Sequence, residues 1–200
     1  MNYRTISEND PLILASESPR RKRLLEQLGL PFHAVPSHVE ENELKGGPSA
    51  KASQLAEKKA KTVHSKSKDS WVLGADTVVV IEERLLGKPR DHDEARSMLS
   101  LLRGKEHKVI TAFCLLNPAG DTVEAKAITT LVKIKGLTDD EIDAYVSTGE
   151  PFGKAGGYAI QGIGAFMVEA ISGSYTNAVG LPVCAVIKSL LAAGALKSFP

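Results

Sequence analysis

The chain has 200 residues, 42% of them hydrophobic and 24% charged, with a formal net charge of +1. Such a length and composition suit one soluble globular domain, or one domain with two lobes, over residues 1–200. Near-zero charge with 5% aromatic residues argues against a nucleic-acid surface. Cys114 and Cys184 both lie in apolar runs and read as buried free thiols, not a disulfide or metal pair. The first eleven residues hold no apolar core of signal-peptide length. The longest apolar stretch, Ala178 to Ile187, carries Gly180 and Pro182 and is too short to span a bilayer, so a cytoplasmic protein without membrane contact is expected.

Leu12 to Ala15 is an apolar run that predicts a short buried strand. Ser18 as N-cap, Pro19 at the first helical position and Gly29 past the end frame the helix that follows. The first turn of that helix breaks a rule. Arg20 and Arg21 stand at the positive end of the dipole, where each cation costs about 0.3–1 kcal/mol. A helical wheel puts Leu24, Leu25 and Leu28 on one face with Arg20 and Arg21 flanking it, and turns Lys22 and Arg23 to water. A bound anion would remove the conflict, since helix N-termini accept phosphates; the plain alternative is a basic, solvated turn.

Phe32 to Val35 reads as a second strand, leading into a polar loop, Pro36 to Pro48, with Glu40, Glu41 and Glu43. Acids in a loop are ordinarily solvated, but they are also the oxygen ligands of hard divalent cations. Ala50 to about His64 is a helix with Ala52, Leu55, Ala56, Ala60 and Val63 on one stripe, and Lys59 falls in the middle of it. An ammonium on a core face must snorkel, pair or contact an anion. On the stripe alone, Lys59→Met makes the stripe fully apolar and should leave the chain folded or even more stable.

Trp71 to Ile81 is the most strand-like run, nearly continuous in apolar residues and interrupted by Asp76-Thr77. A buried, unpaired carboxylate costs several kcal/mol, so Asp76 needs a cation, a metal or hydrogen bonds. Glu82 to Leu86 reads as a turn, and Pro89 holds Lys88 extended. Asp91 with Glu94 suggests a capping box for a helix ending at Gly104. His107 to Leu116 and Thr122 to Lys135 are two strands joined by a hairpin at Asn117–Asp121, and Thr138 with Glu141 caps a helix to about Ser147. Gly149 to Gly164 is glycine-rich, which permits close backbone approach to a ligand. Gln161, inside it, offers a donor and an acceptor in one amide plane, suited to a base edge. Ala165 to Ile171 is expected as a strand and Leu181 to Ala193 as the last helix.

Four oddities share one explanation. Cations at a helix N-terminus, a lysine on a core stripe, an acid in a buried strand and acids in a loop would all be satisfied by a polyphosphate with a divalent metal. No Walker P-loop, no G-x-S-x-G elbow and no zinc spacing is present.

The segments SESPRRKRLL, GADTVVV, GKPRD and GKAGGYAIQG…ISGSYTNAVGLPV resemble the Maf family of nucleoside triphosphate pyrophosphatases, in the family's order and spacing from Leu12 to about Leu191. The resemblance implies an α/β fold resembling inosine-triphosphate pyrophosphatase: an elongated, curved mixed sheet flanked by helices, in two lobes with a central cleft holding the active site. It implies hydrolysis of a nucleoside triphosphate to the monophosphate and pyrophosphate with Mg²⁺ or Mn²⁺. By position, Asp76 matches the general base and metal ligand. Ser16, Arg20, Lys59, Lys88 and Gln161 match substrate-binding positions, joined by Arg21; Glu41 matches a second metal ligand. The Y-x-I-Q-G pattern at Tyr158–Gly162 is similar to the subgroup acting on dTTP and UTP, with modified pyrimidine triphosphates as further candidates. Family membership also implies a homodimer. The alternative function is a nucleotide-binding regulator of septum formation that needs no turnover; a phosphomonoester enzyme is a third class.

Overall fold

The computed structural model describes residues 3–39 and 44–199. Among them, seven strands form one mixed sheet in the order β2-β1-β3-β5-β6-β7, with β4 paired to β3. The strands are β1 (Leu12–Ala15), β2 (Phe32–Ala34), β3 (Val72–Ile81), β4 (Arg84–Leu86), β5 (Glu106–Leu116), β6 (Thr122–Ile134) and β7 (Val168–Ser172). The helices are α1 (Pro19–Gln27), α2 (Pro48–His64), α3 (His92–Leu102), α4 (Asp139–Ser147), α5 (Tyr175–Val179) and α6 (Val183–Ala192). No described helix is long and apolar enough to cross a membrane.

The chain divides into two compact units. The first comprises Met1–Asp76, Thr111–Ile128 and Gly180–Pro200. Here β1 pairs in parallel with β2 and with β3, in the register Ile13↔Val72, Leu14↔Leu73 and Ala15↔Gly74. Every residue of β1 is buried, as the apolar run requires for a strand covered on both faces. Leu24 and Leu25 of α1 are buried as the wheel demands, each contributing roughly 1.5–3 kcal/mol. The unit is tied at its ends by Ile6 N–H donating to the Ala195 carbonyl at 2.8 Å and the Trp71 indole donating to the Arg4 carbonyl at 2.8 Å.

One close approach sets the geometry of this unit. A Cβ added at Gly74 would lie 2.2 Å from the Ala56 carbonyl oxygen and 2.8 Å from the Ala60 amide. Only glycine lets the α2 backbone rest directly on β3. Side chains two apart on a strand share a face, so Asp76 faces the same helix.

The second unit comprises Thr77–Ile110 and Thr129–Val179. Its core includes Leu99, Leu102, Ile134, Ile142 and Tyr145, and α3 packs against α4. Thr138 and Glu141 form the expected capping box. At α3 only half of the expected box forms. Asp91 accepts from Glu94 N–H, whereas Glu94 turns to the backbone and side chain of Arg90. Asn177, fully buried, donates to the Val109 carbonyl and to Thr130 Oγ1.

Several expectations are corrected. The stretch read as a plain turn contains β4, joined to β3 by Glu82 and Glu83 at φ 47° and 63°. That two-residue turn normally carries Asn or Gly, so Glu-Glu hides the hairpin. The strand expected from Ala165 begins at Val168, after a short 3-10 helix over Ile163–Met167. Ser18 occupies the N-cap position but makes no side-chain cap bond. Cys114 is buried, but Cys184 is exposed on α6, because the apolar run containing it is helical and shows one face to solvent.

Candidate functional site

Lys59 Nζ donates to Asp76 Oδ1 at 2.6 Å, and the two side chains retain 14% and 11% exposure. Each of these residues was anomalous for its own element; together they neutralise one another. The contact follows from local structure. Gly74 seats α2 at Ala56 and Ala60, and Lys59, beside Ala60, then reaches the carboxylate two residues along β3.

The arginines sit at the start of α1 in the same unit. Arg21 is buried, and its Nε donates to the Gly180 carbonyl at 2.7 Å while Nη1 donates to Ser16 Oγ at 3.1 Å. Burial pushes the Arg21 guanidinium down to about 10, opposed by the negative charge of Asp76 and assisted by the positive charge of Arg20. Arg20 is half-buried, and burial lowers it too. Ser16, also buried, accepts from the Ser18 amide at 3.2 Å as well as from Arg21. The serine that orders the turn is therefore Ser16 rather than Ser18. No acidic residue stands in the first turn of α1. The positive end of the helix dipole and its two cations make this end of α1 suited to phosphate.

Lys88 and Gln161 belong to the second unit, and both are exposed. The segment carrying Lys88 is held to the glycine-rich segment, since Gly156 N–H donates to the Gly87 carbonyl at 3.0 Å. Gln161 lies in a turn closed by Gly162 N–H donating to the Ala159 carbonyl at 3.2 Å. Glu41 lies outside the described residues.

The structure thus brings Ser16, Arg20, Arg21, Lys59 and Asp76 together in one unit, with Arg21 sensing both Arg20 and Asp76. Sequence reading missed two supporting groups, Gly74 and the Gly180 carbonyl. Gly74 was legible as a glycine inside a strand, which signals close backbone approach. The Gly180 carbonyl carries no local signal.

The Maf-like protein family model matches residues 11–193. The chain is 52% identical to a dTTP/UTP pyrophosphatase of Ruminiclostridium cellulolyticum, covering 86% of this chain and 90% of that one. It is 47% identical to a dTTP/UTP pyrophosphatase of Syntrophotalea carbinolica, over 94% of this chain and 87% of the relative. It is 45% identical to a dTTP/UTP pyrophosphatase of Geobacter sulfurreducens, over 94% and 100%. Among solved structures, the nucleoside-triphosphatase / dITP/XTP pyrophosphatase of Mycobacterium abscessus aligns with 93% of this chain and 97% of its own, at 14% identity and a TM-score of 0.43. A family model spanning nearly the whole chain, together with relatives this similar over most of their length, establishes that the chain belongs to the Maf family.

Proposed function

We propose that this chain is a nucleoside triphosphate pyrophosphatase that hydrolyses dTTP and UTP to the monophosphate and pyrophosphate. The observation that carries the reading is the near-buried Lys59–Asp76 pair beside the Arg20–Arg21 helix end. Cations in this density suit a triphosphate, and one carboxylate among them suits proton abstraction from water.

In this reading Arg20 and Lys59 hold the β- and γ-phosphates, with Lys88 assisting, and backbone N–H groups at the start of α1 add hydrogen bonds. Arg21 contributes charge and holds Ser16 in place. Asp76 orients a water and takes its proton as the oxygen attacks the α-phosphorus. The α–β phosphoanhydride bond breaks and pyrophosphate departs into the positive groups. Catalysis is then mostly positioning and charge stabilisation. Gln161 meets the pyrimidine edge, and a site built to hydrogen-bond one base rejects others strongly.

Asp76 suits a divalent cation as a hard oxygen donor. Lys59 engages only Oδ1 of Asp76, and no three His, Cys, Asp or Glu side chains gather as a cage among the described residues. Mg²⁺ is characteristically held by one or two carboxylates plus substrate phosphates. Asp76, with Glu41 as the second acid, would hold Mg²⁺ or Mn²⁺, which when bound draws charge from the phosphate oxygens. We further assign the chain to the cytoplasm as a homodimer.

Incubation with dTTP and Mg²⁺ tests the reaction. The expected products are dTMP and pyrophosphate in equal amounts, and Asp76→Asn should lower kcat by roughly a hundredfold or more. Release of orthophosphate, or nucleotide binding without turnover, overturns the proposal.

A further inference from the structure

We propose that Glu150 is a positioning residue for Gln161, setting selectivity for the pyrimidine by fixing the loop that presents the amide without itself touching the nucleotide. This rests on the assignment of Gln161 to the base.

Glu150 opens the glycine-rich segment just after α4. Its Oε1 accepts the Ile163 amide at 2.9 Å, and its Oε2 accepts the Gly164 amide at 2.8 Å and the Tyr145 hydroxyl at 2.7 Å. Tyr145 Oη in turn accepts the Ala159 amide at 3.2 Å. One carboxylate therefore bonds the chain two and three residues after Gln161 and, through one phenol, two residues before it. The fit is tight: a Cβ at Gly162 would lie 2.0 Å from Oε1 and 2.7 Å from the carboxyl carbon. The carboxylate occupies the space a side chain at 162 would need.

The charge state agrees with this arrangement. Burial alone would raise Glu150, but the Gly164 amide, the Tyr145 hydroxyl, the Ile163 amide and the Lys154 ammonium together hold it below the usual carboxylate range. It is an anion at neutral pH, and hydrogen bonds to an anion are the strong ones.

The exposed Gln161 needs that anchor for a chemical reason. In one orientation its amide accepts from N3–H and donates to O4 of thymine or uracil. Turned over, the same amide complements the N3 acceptor and amino group of cytosine. Selectivity therefore depends on where, and from which direction, the amide meets the base. A backbone fixed in advance supplies that, and the ordering cost is met on folding rather than on binding.

Glu150→Gln is the test, since it keeps shape but leaves one carboxamide oxygen for three donors. The ratio of kcat/KM for dTTP over dCTP should fall about tenfold, through a raised KM for dTTP with kcat held within about twofold. Gln161→Ala should lower the ratio similarly, and the double variant should fall no further than Gln161→Ala. Tyr145→Phe and Gly162→Ala, which respectively remove one donor and displace the carboxylate, should shift the ratio in the same direction, and they decide the matter should Glu150→Gln fail to fold. If Gln161→Ala lowers the ratio while the anchor variants leave it unchanged, or lower kcat for every substrate alike, Glu150 is merely structural. If Gln161→Ala itself leaves the ratio unchanged, the base-reading assignment falls, and this proposal with it.

Discussion

Replacing Lys59 with Met probes the centre of the site. On the apolar stripe of α2 considered alone, methionine should be welcome. The structure reverses that expectation, because Lys59 is the hydrogen-bonded partner of Asp76. With 14% and 11% of the two side chains exposed, the pair is close to the buried limit. Removing one partner of a buried pair costs about 3–5 kcal/mol, because the other charge is left uncompensated. The remaining exposure points to the lower end, about 3 kcal/mol. For a chain of this size each kcal/mol moves Tm by about 2–4 °C, so Lys59→Met should melt roughly 6–12 °C below the parent. Lys59→Met with Asp76→Asn removes both charges at nearly constant shape and should recover to within about 1 kcal/mol of the parent. Thermal melts of the parent, both single variants and the double at neutral pH, followed by circular dichroism, complete the cycle. A Lys59→Met protein that melts with the parent, or a double variant as unstable as the singles, would refute the pairing argument. Activity toward dTTP should be lost in all three variants.

Gly74→Ala should break the same pair indirectly. The new methyl meets the Ala56 carbonyl, so α2 must move off β3, costing about 1–3 kcal/mol and lowering turnover with Lys59 and Asp76 both present; melting and steady-state kinetics on one preparation check this. Arg21→Lys keeps the charge but loses the fork that spans the Gly180 carbonyl and Ser16 Oγ, and should destabilise by about 1–3 kcal/mol in urea titrations. Arg20→Lys, at a half-buried position without those bonds, should chiefly raise KM. Burial lowers His107 from 6.5 to about 4, and its Nε2 lies 2.8 Å from the Tyr158 hydroxyl. The unfolded chain therefore binds the extra proton first as pH falls. Stability contributed at this site is complete above about pH 6.5 and is lost toward about pH 4, by roughly 3 kcal/mol. Urea midpoints from pH 7 to 4 should fall less steeply in His107→Gln.

How much could be read in advance differs from residue to residue. Arg20 and Arg21 stood out because they oppose a helix dipole; the wheel separated buried Arg21 from exposed Arg23, whereas Arg20 and Lys22 are both half-buried. Lys59 and Asp76 stood out because each violates the apolar pattern of its own element. Such anomalies are local, since periodicity and dipole direction belong to a segment of a dozen residues. They sufficed to single out the residues for which a phosphate and metal site is proposed, and the order of the motifs gave the family.

Pairing was not legible. The sequence does not say that Lys59 meets Asp76, that Arg21 fastens the Gly180 carbonyl 159 residues away, or that Glu150 gathers both flanks of Gln161. Cys184 looked buried from its apolar run and is exposed. A residue's neighbours depend on which face its element presents, and packing decides that. Amino-acid order by itself determined which side chains needed a partner; only the tertiary structure, through close contacts such as α2 on Gly74, decided which partner each received, because a lone charge inside an apolar element is costly wherever it stands and is relieved only where the fold delivers its opposite.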